Sequence, residues 1–188
     1  MKTVEQSSIH TYEIKKSKFI AHLVPIHEFK GLQEKLREEH PKSRHVVYAL
    51  RYLNEFDQIV ENSSDDGEPK GSSATPALNV LRGEEMINVA VLIVRYFGGI
   101  KLGIGGLVRA YGNAVKEVIA HSNVVLYEKM LEYRFDTSYS DIQRVEYLLN
   151  KLEITQIERD FLNEGVAWNI KSTQERLDCF REEYKCMR

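Results

Sequence analysis

The amino-acid sequence predicts an α+β protein made of two domains. Segments rich in β-forming residues alternate with amphipathic helical patterns, and a new β-type segment begins after residue 122. The chain is 43% hydrophobic and 29% charged, which is the composition of a folded globular protein rather than a disordered one. We therefore expect one domain over residues 1–122 and a second over residues 123–188.

Charge and cysteine content limit the classes of function. The 26 Lys and Arg against 28 Asp and Glu give a formal net charge of −2, which excludes a globally basic nucleic-acid-binding protein but not a local basic face. The longest aliphatic run, residues 89–94, is far shorter than a membrane span. The N-terminus lacks an apolar signal core, and Cys179 and Cys186 fit reduced thiols. We expect a cytoplasmic protein with no membrane partner.

The beginning of the chain predicts strands on either side of a helix. Two extended segments lie within residues 9–26. Apolar residues then recur at helical spacing from Phe29 to Leu36, and the helix is expected to end near Pro41. Residues 45–52 have the β-forming composition of a further strand.

The middle of the chain predicts a loop, a helix and a buried strand. Residues 54–72 are polar and rich in turn-forming residues, so they are expected to form a loop. A helix follows from Pro76 to Leu81, with proline in the first turn, where its missing N–H costs little. Residues 89–94 are apolar at every position, which predicts a strand covered on both faces.

Five of the eleven glycines fall within residues 98–106, just before a helix predicted to start at Leu107. Glycine lets backbone N–H groups approach a ligand without an intervening Cβ, and a helix N-terminus attracts anions. Arg95 at the strand end, Lys101 within the turn and Arg109 one turn into the helix add positive charge. These features predict a phosphate- or carboxylate-binding turn, with tight packing as the alternative role of the glycines. The candidate residues are Arg95, Tyr96, Gly98, Gly99, Lys101, Gly103, Gly105, Gly106 and Arg109.

The same turn fails the standard nucleotide-binding and catalytic motifs. A Walker A loop would end in Gly-Lys-Ser/Thr, and the dinucleotide fingerprint would need Gly or Ala where Val108 stands. The sequence has neither a Gly-x-Ser-x-Gly elbow nor a His-Glu-x-x-His pair, and no nucleophile is identifiable near His45. Tyr96 suits stacking on bases, whereas Phe97 is expected to cap the core. We expect no cofactor and no metal, and a binding role is favoured over an enzymatic one.

An acidic loop precedes the second helix. Asp65, Asp66 and Glu68 have the oxygen ligands that magnesium uses together with phosphate. Their Asp-Gly and Glu-Pro steps are ordinary turn chemistry, however, and favour a solvated turn over a metal site. Asp66 could instead cap the turn or pair with Arg95. The loop candidates are Asp65, Asp66, Glu68, Lys70 and Ser72.

The second domain begins with a strand over residues 131–136, where apolar and charged residues alternate. A helix with an apolar face from Ile142 to Leu152 follows. The remaining elements are a hairpin formed by residues 154–162 and 166–170 and a helix that carries Leu177, Phe180 and Tyr184. The order β-α-β-β-α matches a ferredoxin-like module whose last strand is missing.

Three blocks together resemble the signature of the YigZ/IMPACT family. They are Asp65-Asp66-Gly67-Glu68-Pro69, then Pro76-Ala77-Leu78, then Val94-Arg95-Tyr96-Phe97-Gly98-Gly99-Ile100-Lys101-Leu102-Gly103. The chain is similar to the bacterial two-domain members. The resemblance implies a ribosomal protein S5 domain 2-like fold followed by a ferredoxin-like fold, a pairing that resembles the last two domains of translocation factor G.

The resemblance also implies a function. Eukaryotic relatives of the first domain regulate translation initiation by binding an activator of the amino-acid-starvation kinase. We therefore expect a non-enzymatic, translation-linked protein that contacts RNA or the ribosome through the glycine-rich turn. One alternative is a protein-binding regulator of translation or the stress response without RNA contact. Another is a small-molecule phosphotransferase on the S5-like fold, although the glycine-flanked double serine of those enzymes is absent.

Overall fold

A five-stranded antiparallel sheet organises the first of two compact units, which span Met1–Tyr127 and Glu128–Arg188. The computed structural model describes residues 1–43 and 45–186. The sheet has the order β2-β3-β6-β4-β5, and β1 pairs separately with β7. The strands are β1 (Lys2–Val4), β2 (Ser8–Ile14), β3 (Ser17–Pro25), β4 (Val46–Leu53), β5 (Ile59–Ser64), β6 (Val89–Tyr96) and β7 (Val124–Leu126).

Helices cover both faces of this sheet, as the unbroken apolar run of β6 predicts. Alternate residues of β6 point to opposite sides. Val91 belongs to the core shared with α2 (Ala74–Gly83) and α3 (Ile104–Ala120), whereas Leu92 packs with α1 (Phe29–Glu39). Both side chains are fully buried, and each such side chain contributes about 1.5–3 kcal/mol. The strand prediction for residues 89–94 is confirmed.

Two sequence predictions for this unit are wrong in part. Residues 54–72 are not a continuous loop, because β5 pairs with β4 from Leu53↔Ile59 to Tyr48↔Ser64. An edge strand tolerates polar residues, since its outer side is solvated and its neighbour supplies the pairing. Helix α3 begins at Ile104 rather than Leu107, so that two glycines lie in its first turn. Packing of the apolar stripe outweighs their helix-propensity penalty of about 1 kcal/mol each.

The second unit has the predicted β-α-β-β-α order. Its elements are β8 (Met130–Thr137), α4 (Ile142–Lys151), β9 (Gln156–Leu162), β10 (Gly165–Thr173) and α5 (Gln174–Cys186). The antiparallel sheet has the order β8-β10-β9, with the predicted hairpin formed by β9 and β10. Trp168 is buried, and its indole N–H donates to Thr137 Oγ1 over 2.8 Å. All seven residues of the edge strand β9 are exposed.

Across the described residues, the helices are too short or too polar to cross a membrane. His22 of β3 is the buried histidine of the first unit, on the α1-facing side of the sheet. Its Nε2 has no hydrogen-bond partner among residues 1–43 and 45–186. Burial lowers the pKa of His22 to about 4, and the nearby His40 acts in the same direction. The native protein therefore holds His22 neutral well below its ordinary pKa.

We expect His22 to make the first unit less stable in acid. Between the ordinary pKa of 6.5 and a native pKa of about 4, the unfolded chain binds a proton that the folded chain does not. The free energy of unfolding should therefore fall as the pH drops through this window, by at most about 3 kcal/mol. His22→Leu should flatten the dependence in urea unfolding monitored by circular dichroism. The exposed His27 supplies the control, and an identical pH profile for His22→Leu and His27→Gln would contradict the assignment.

Candidate functional site

A cleft of about 500 Å³ opens where β6 ends. Strand β6 and the residue after it supply Arg95, Tyr96 and Phe97, and the segment before β4 supplies Lys42 and His45. Basic and aromatic side chains therefore share one cleft. Of these five residues, Lys42 carries no signal in the sequence, because an isolated lysine before a strand resembles any solvated turn.

Arg95 forms the inner wall of the cleft. Its Nη1 donates to Glu68 Oε1 over 2.7 Å, and its guanidinium carbon lies 5.6 Å from the ring centre of Phe19 and 5.8 Å from that of Phe97. Only 12% of the Arg95 side chain is exposed, and its Nε has no acceptor in the described part of the chain. One end of the guanidinium thus donates to a carboxylate, whereas Nε has no hydrogen-bond acceptor among the described residues.

The partner carboxylate is buried and doubly held. The hydroxyl of Tyr111, on α3, also donates to Glu68 Oε1, over 2.8 Å. Burial raises the pKa of Tyr111 far above its ordinary value, and the negative charge of Glu68 acts in the same direction, so the hydroxyl keeps its proton. The expectation of a solvated turn is wrong for Glu68, because its carboxylate points inward to two donors. Two partners compensate for the loss of water around a buried charge.

Asp65 binds the N-terminus of α2. Its carboxylate accepts hydrogen bonds from the backbone N–H groups of Gly71 and Ala74, each over 2.8 Å, and from the hydroxyl of Ser73. Partial burial alone would raise the pKa of Asp65, but these hydrogen bonds together hold the pKa below its ordinary value. A carboxylate from the loop thus caps a helix whose own first residues make no side-chain cap.

Asp66 stabilises the start of β4 and does not contact Arg95. Its carboxylate accepts from the N–H of Val46 over 2.7 Å and from Arg37 over 3.3 Å. Its backbone carbonyl lies 2.6 Å from His45 Nδ1, so this nitrogen carries the hydrogen and Nε2 offers a lone pair. The three acidic side chains of the loop therefore have separate partners. Of the other loop candidates, Lys70 is exposed, and the buried Ser72 donates to the carbonyl of Pro69.

The glycines of the turn have different roles. Gly98 packs against the β2–β3 turn, where an added Cβ would lie 2.0 Å from the carbonyl carbon of Lys16. Gly99 and Gly103 have φ angles of 87° and 71°, which favour glycine. Gly105 has open space around it, and a Cβ on Gly106 would meet the Leu102 Cβ at 3.0 Å. Close packing accounts for the presence of glycine at position 98, and backbone conformation accounts for it at positions 99 and 103. Neither reason applies to Gly105.

Donors and cations at the turn face solvent. Ile104 and Gly105, in the first turn of α3, are exposed, and their N–H groups have no acceptor within residues 1–43 and 45–186. Five exposed cations surround this turn and the cleft, and none forms an ion pair with a described carboxylate. We call them the basic surface: Lys15, Lys16, Lys42, Lys101 and Arg109. Lys16 adjoins Gly98, and Lys42 lines the cleft.

Tyr96 and Phe97 have the reverse of the environments that the sequence predicts. Tyr96 is half-buried against the α1-side core, and its hydroxyl lies 2.7 Å from His40 Nδ1. Phe97 is 59% exposed, so the expectation that it caps the core is wrong. The guanidinium of Arg95 lies within 6 Å of both Phe19 and Phe97, which leaves Phe97 at the mouth of the cleft.

Residues 15–119, more than half of the chain, match the family model of the Impact N-terminal domain. The chain belongs to the IMPACT family. It is 34% identical to an IMPACT family member of Haemophilus influenzae, over 84% of the chain and 76% of that protein. It is 32% identical to YvyE of Bacillus subtilis, over 96% of the chain and 83% of that protein. The resemblance that the three sequence blocks indicate is therefore confirmed.

A more distant relative and a solved structure extend the comparison. The IMPACT homologue of Schizosaccharomyces pombe is 28% identical over 47% of this chain and 33% of its own length. A crystal structure of a hypothetical protein superposes with a TM-score of 0.65 at 28% identity, covering 99% of this chain and 91% of that one. This neighbour supports a mixed α and β fold along the IMPACT-family chain.

The Glu68 contacts predict a large effect on the stability of the first unit. Glu68→Gln removes the charge that Arg95 faces and should lower the free energy of unfolding by about 3 kcal/mol. Tyr111→Phe removes one hydrogen bond and should cost about 1–2 kcal/mol. Far-UV circular dichroism in urea measures both. Fluorescence of Trp168, the single tryptophan, reports the second unit and is the internal control. Unchanged stability of Glu68→Gln would contradict the buried pair.

The glycine geometry predicts opposite outcomes for two substitutions in this IMPACT-family turn. Gly98→Ala forces a Cβ into the backbone of Lys16 and should destabilise the first unit by several kcal/mol, on the order of an overpacked core. Gly105→Ala meets open space in a helix and should be neutral or stabilising by up to about 1 kcal/mol. Thermal unfolding of the two variants measures the difference, and equal losses would show that this geometry is wrong.

Proposed function

We propose that this IMPACT-family chain is a non-enzymatic, translation-linked protein that contacts RNA, free or within the ribosome, through the cleft and the basic surface. The observation that carries the proposal is one cleft in which an exposed aromatic ring, Phe97, lies with Lys42, a cation that has no ion pair among the described residues. Lysines and arginines bind phosphates by charge, and an exposed ring stacks on an unpaired base for about 1–3 kcal/mol.

The first turn of α3 adds donors to this binding surface. The N–H groups of the exposed residues Ile104 and Gly105 suit a phosphate oxygen, and Lys101 and Arg109 supply charge from the same segment. Arg95 contributes mainly by shaping the cleft, because Glu68 already pairs with it.

We further propose that the first unit has the ribosomal protein S5 domain 2-like fold and the second the ferredoxin-like fold. The β-α-β-β-α order and the β8-β10-β9 sheet support the second assignment. The family resemblance supports the link to translation. The sequence places the domain boundary between residues 122 and 123. The pairing of β7 with β1 lies within the first compact unit, Met1–Tyr127, and favours a boundary about five residues later.

RNA binding tests the proposed function. Fluorescence anisotropy with a structured RNA containing single-stranded loops should show affinity at low salt that weakens steeply as salt rises. Lys42→Ala and Lys101→Ala should each weaken binding and reduce the slope of log K against log salt by about 0.7 for a single-stranded contact. Phe97→Ala should weaken binding about fivefold or more with no change in slope.

Lys30→Ala is the matched control, because Lys30 is an exposed lysine of α1 outside the cleft and the basic surface. It should leave affinity and slope nearly unchanged. Absence of RNA affinity at low salt would overturn the proposal. Affinity that falls equally in Lys30→Ala and Lys42→Ala would assign the binding to overall charge instead of this cleft. Stabilisation of the protein by ATP with magnesium, without RNA affinity, would favour the phosphotransferase alternative.

A further inference from the structure

Strand β2 and helix α3 bring two histidines and a glutamate together on the first unit. One ligand atom from each of His10, Glu117 and His121 lies within 4.8 Å of the other two. The closest pair is His10 Nε2 and Glu117 Oε2, at 3.2 Å. None of the three residues lines the cleft at the end of β6, so the cluster is independent of the proposed function.

The fold builds this cluster from separate segments. Glu117 lies in the last turn of α3, and His121 directly follows the helix, with its backbone N–H bonded to the Glu117 carbonyl one turn back. His10 comes from the edge strand β2, at the register position opposite Ala21. No metal-binding motif contains such residues, because one ligand lies more than a hundred residues from the other two.

Hydrogen bonding orients one of the imidazoles for metal coordination. His121 Nδ1 lies 2.8 Å from the backbone carbonyl of Glu117, so Nδ1 carries the hydrogen and Nε2 offers its lone pair. A backbone carbonyl on the second ring nitrogen is the usual support of a metal-binding histidine. The rings of His10 and His121 stack with centroids 4.0 Å apart and an interplanar angle of 18°. The stacking places the two rings side by side at one point of the surface.

An ordinary surface ion pair explains this arrangement less well. A contact between His10 and Glu117 alone would be worth about 0–1 kcal/mol and would not require a second histidine. A bound cation accounts for the position of all three side chains, because it attracts one ligand atom from each of them.

We propose that His10, Glu117 and His121 bind a divalent transition-metal ion, with Zn²⁺ as the best match. Two imidazole nitrogens and one carboxylate are a zinc donor set, whereas Mg²⁺ and Ca²⁺ prefer oxygen ligands throughout. Zinc bonds of about 2.0–2.2 Å place tetrahedral ligand atoms about 3.3–3.6 Å apart. The 3.2 Å between His10 Nε2 and Glu117 Oε2 is slightly shorter, so small rotations suffice. The remaining coordination position is available to water or to an external ligand.

Metal binding at this place would join the edge strand β2 to α3. Binding to the folded chain alone shifts the folding equilibrium by mass action, about 100-fold at a free zinc concentration 100 times Kd. The side chains of His10 and Glu117 are 26% and 44% exposed, so small rotations can bring the ligands together without disturbing the core.

Titration of the chelator-treated full chain with Co²⁺ and Zn²⁺ tests the site. The exposed Cys179 and Cys186 are first replaced by serine, because thiolates would compete for zinc. We expect one equivalent of Zn²⁺ by calorimetry, a visible Co²⁺ absorption typical of tetrahedral coordination, and a Tm that rises with zinc. His10→Gln, Glu117→Gln and His121→Gln should each weaken binding at least about tenfold.

His27→Gln is the matched control, because His27 also contacts a glutamate, Glu28 at 3.9 Å, but belongs to no three-ligand group among the described residues. It should bind zinc like the parent. Absence of stoichiometric zinc binding would overturn the proposal, as would full binding by any two of the three ligand variants. A Tm that does not respond to zinc in the parent would also overturn it, which keeps the test decisive if a variant folds poorly.

Discussion

A buried carboxylate connects three segments that lie far apart in the chain. Glu68 of the acidic loop accepts hydrogen bonds from Arg95 at the end of β6 and from Tyr111 in α3. A charge removed from water is tolerated only where such partners replace the water, so all three segments must meet at this oxygen. The loop is thereby held against the sheet, Asp65 reaches the N-terminus of α2, and Arg95 stays in the wall of the cleft below Phe97.

Much of the fold follows from local patterns in the sequence. The strand over residues 89–94 and the hairpin of the second unit are predicted correctly, because their signals, an unbroken apolar run and a turn between two apolar segments, lie in neighbouring residues. The strand β5 is not predictable in this way, because its polar residues become a strand only through pairing with β4. The start of α3 is misplaced for a related reason: two glycines are read as a turn, although the stripe that begins at Leu107 holds them in the helix.

The candidate site is less accessible to sequence reasoning than the fold. The glycine-rich turn and its cations are visible as a cluster of residue types. The partner of Arg95 cannot be recognised in the sequence, because Glu68 lies 27 residues away in a segment that resembles a solvated turn. The same limit applies to His10, because only the packing of α3 on a sheet edge brings Glu117 and His121 to it. Contacts of this kind depend on tertiary structure, and they cannot be predicted from the spacing of residues along the chain.

The exposed edge strand β9 has a consequence for the behaviour of the protein in solution. Its outer side leaves backbone groups open to pairing with another strand, and Ile157, Phe161 and Leu162 are all exposed. Such an edge is prone to sheet extension and aggregation between molecules. Three consecutive charged residues, Glu158-Arg159-Asp160, interrupt the apolar positions at its centre. These charges would have to be desolvated before two molecules could join along β9, which opposes sheet extension at this edge.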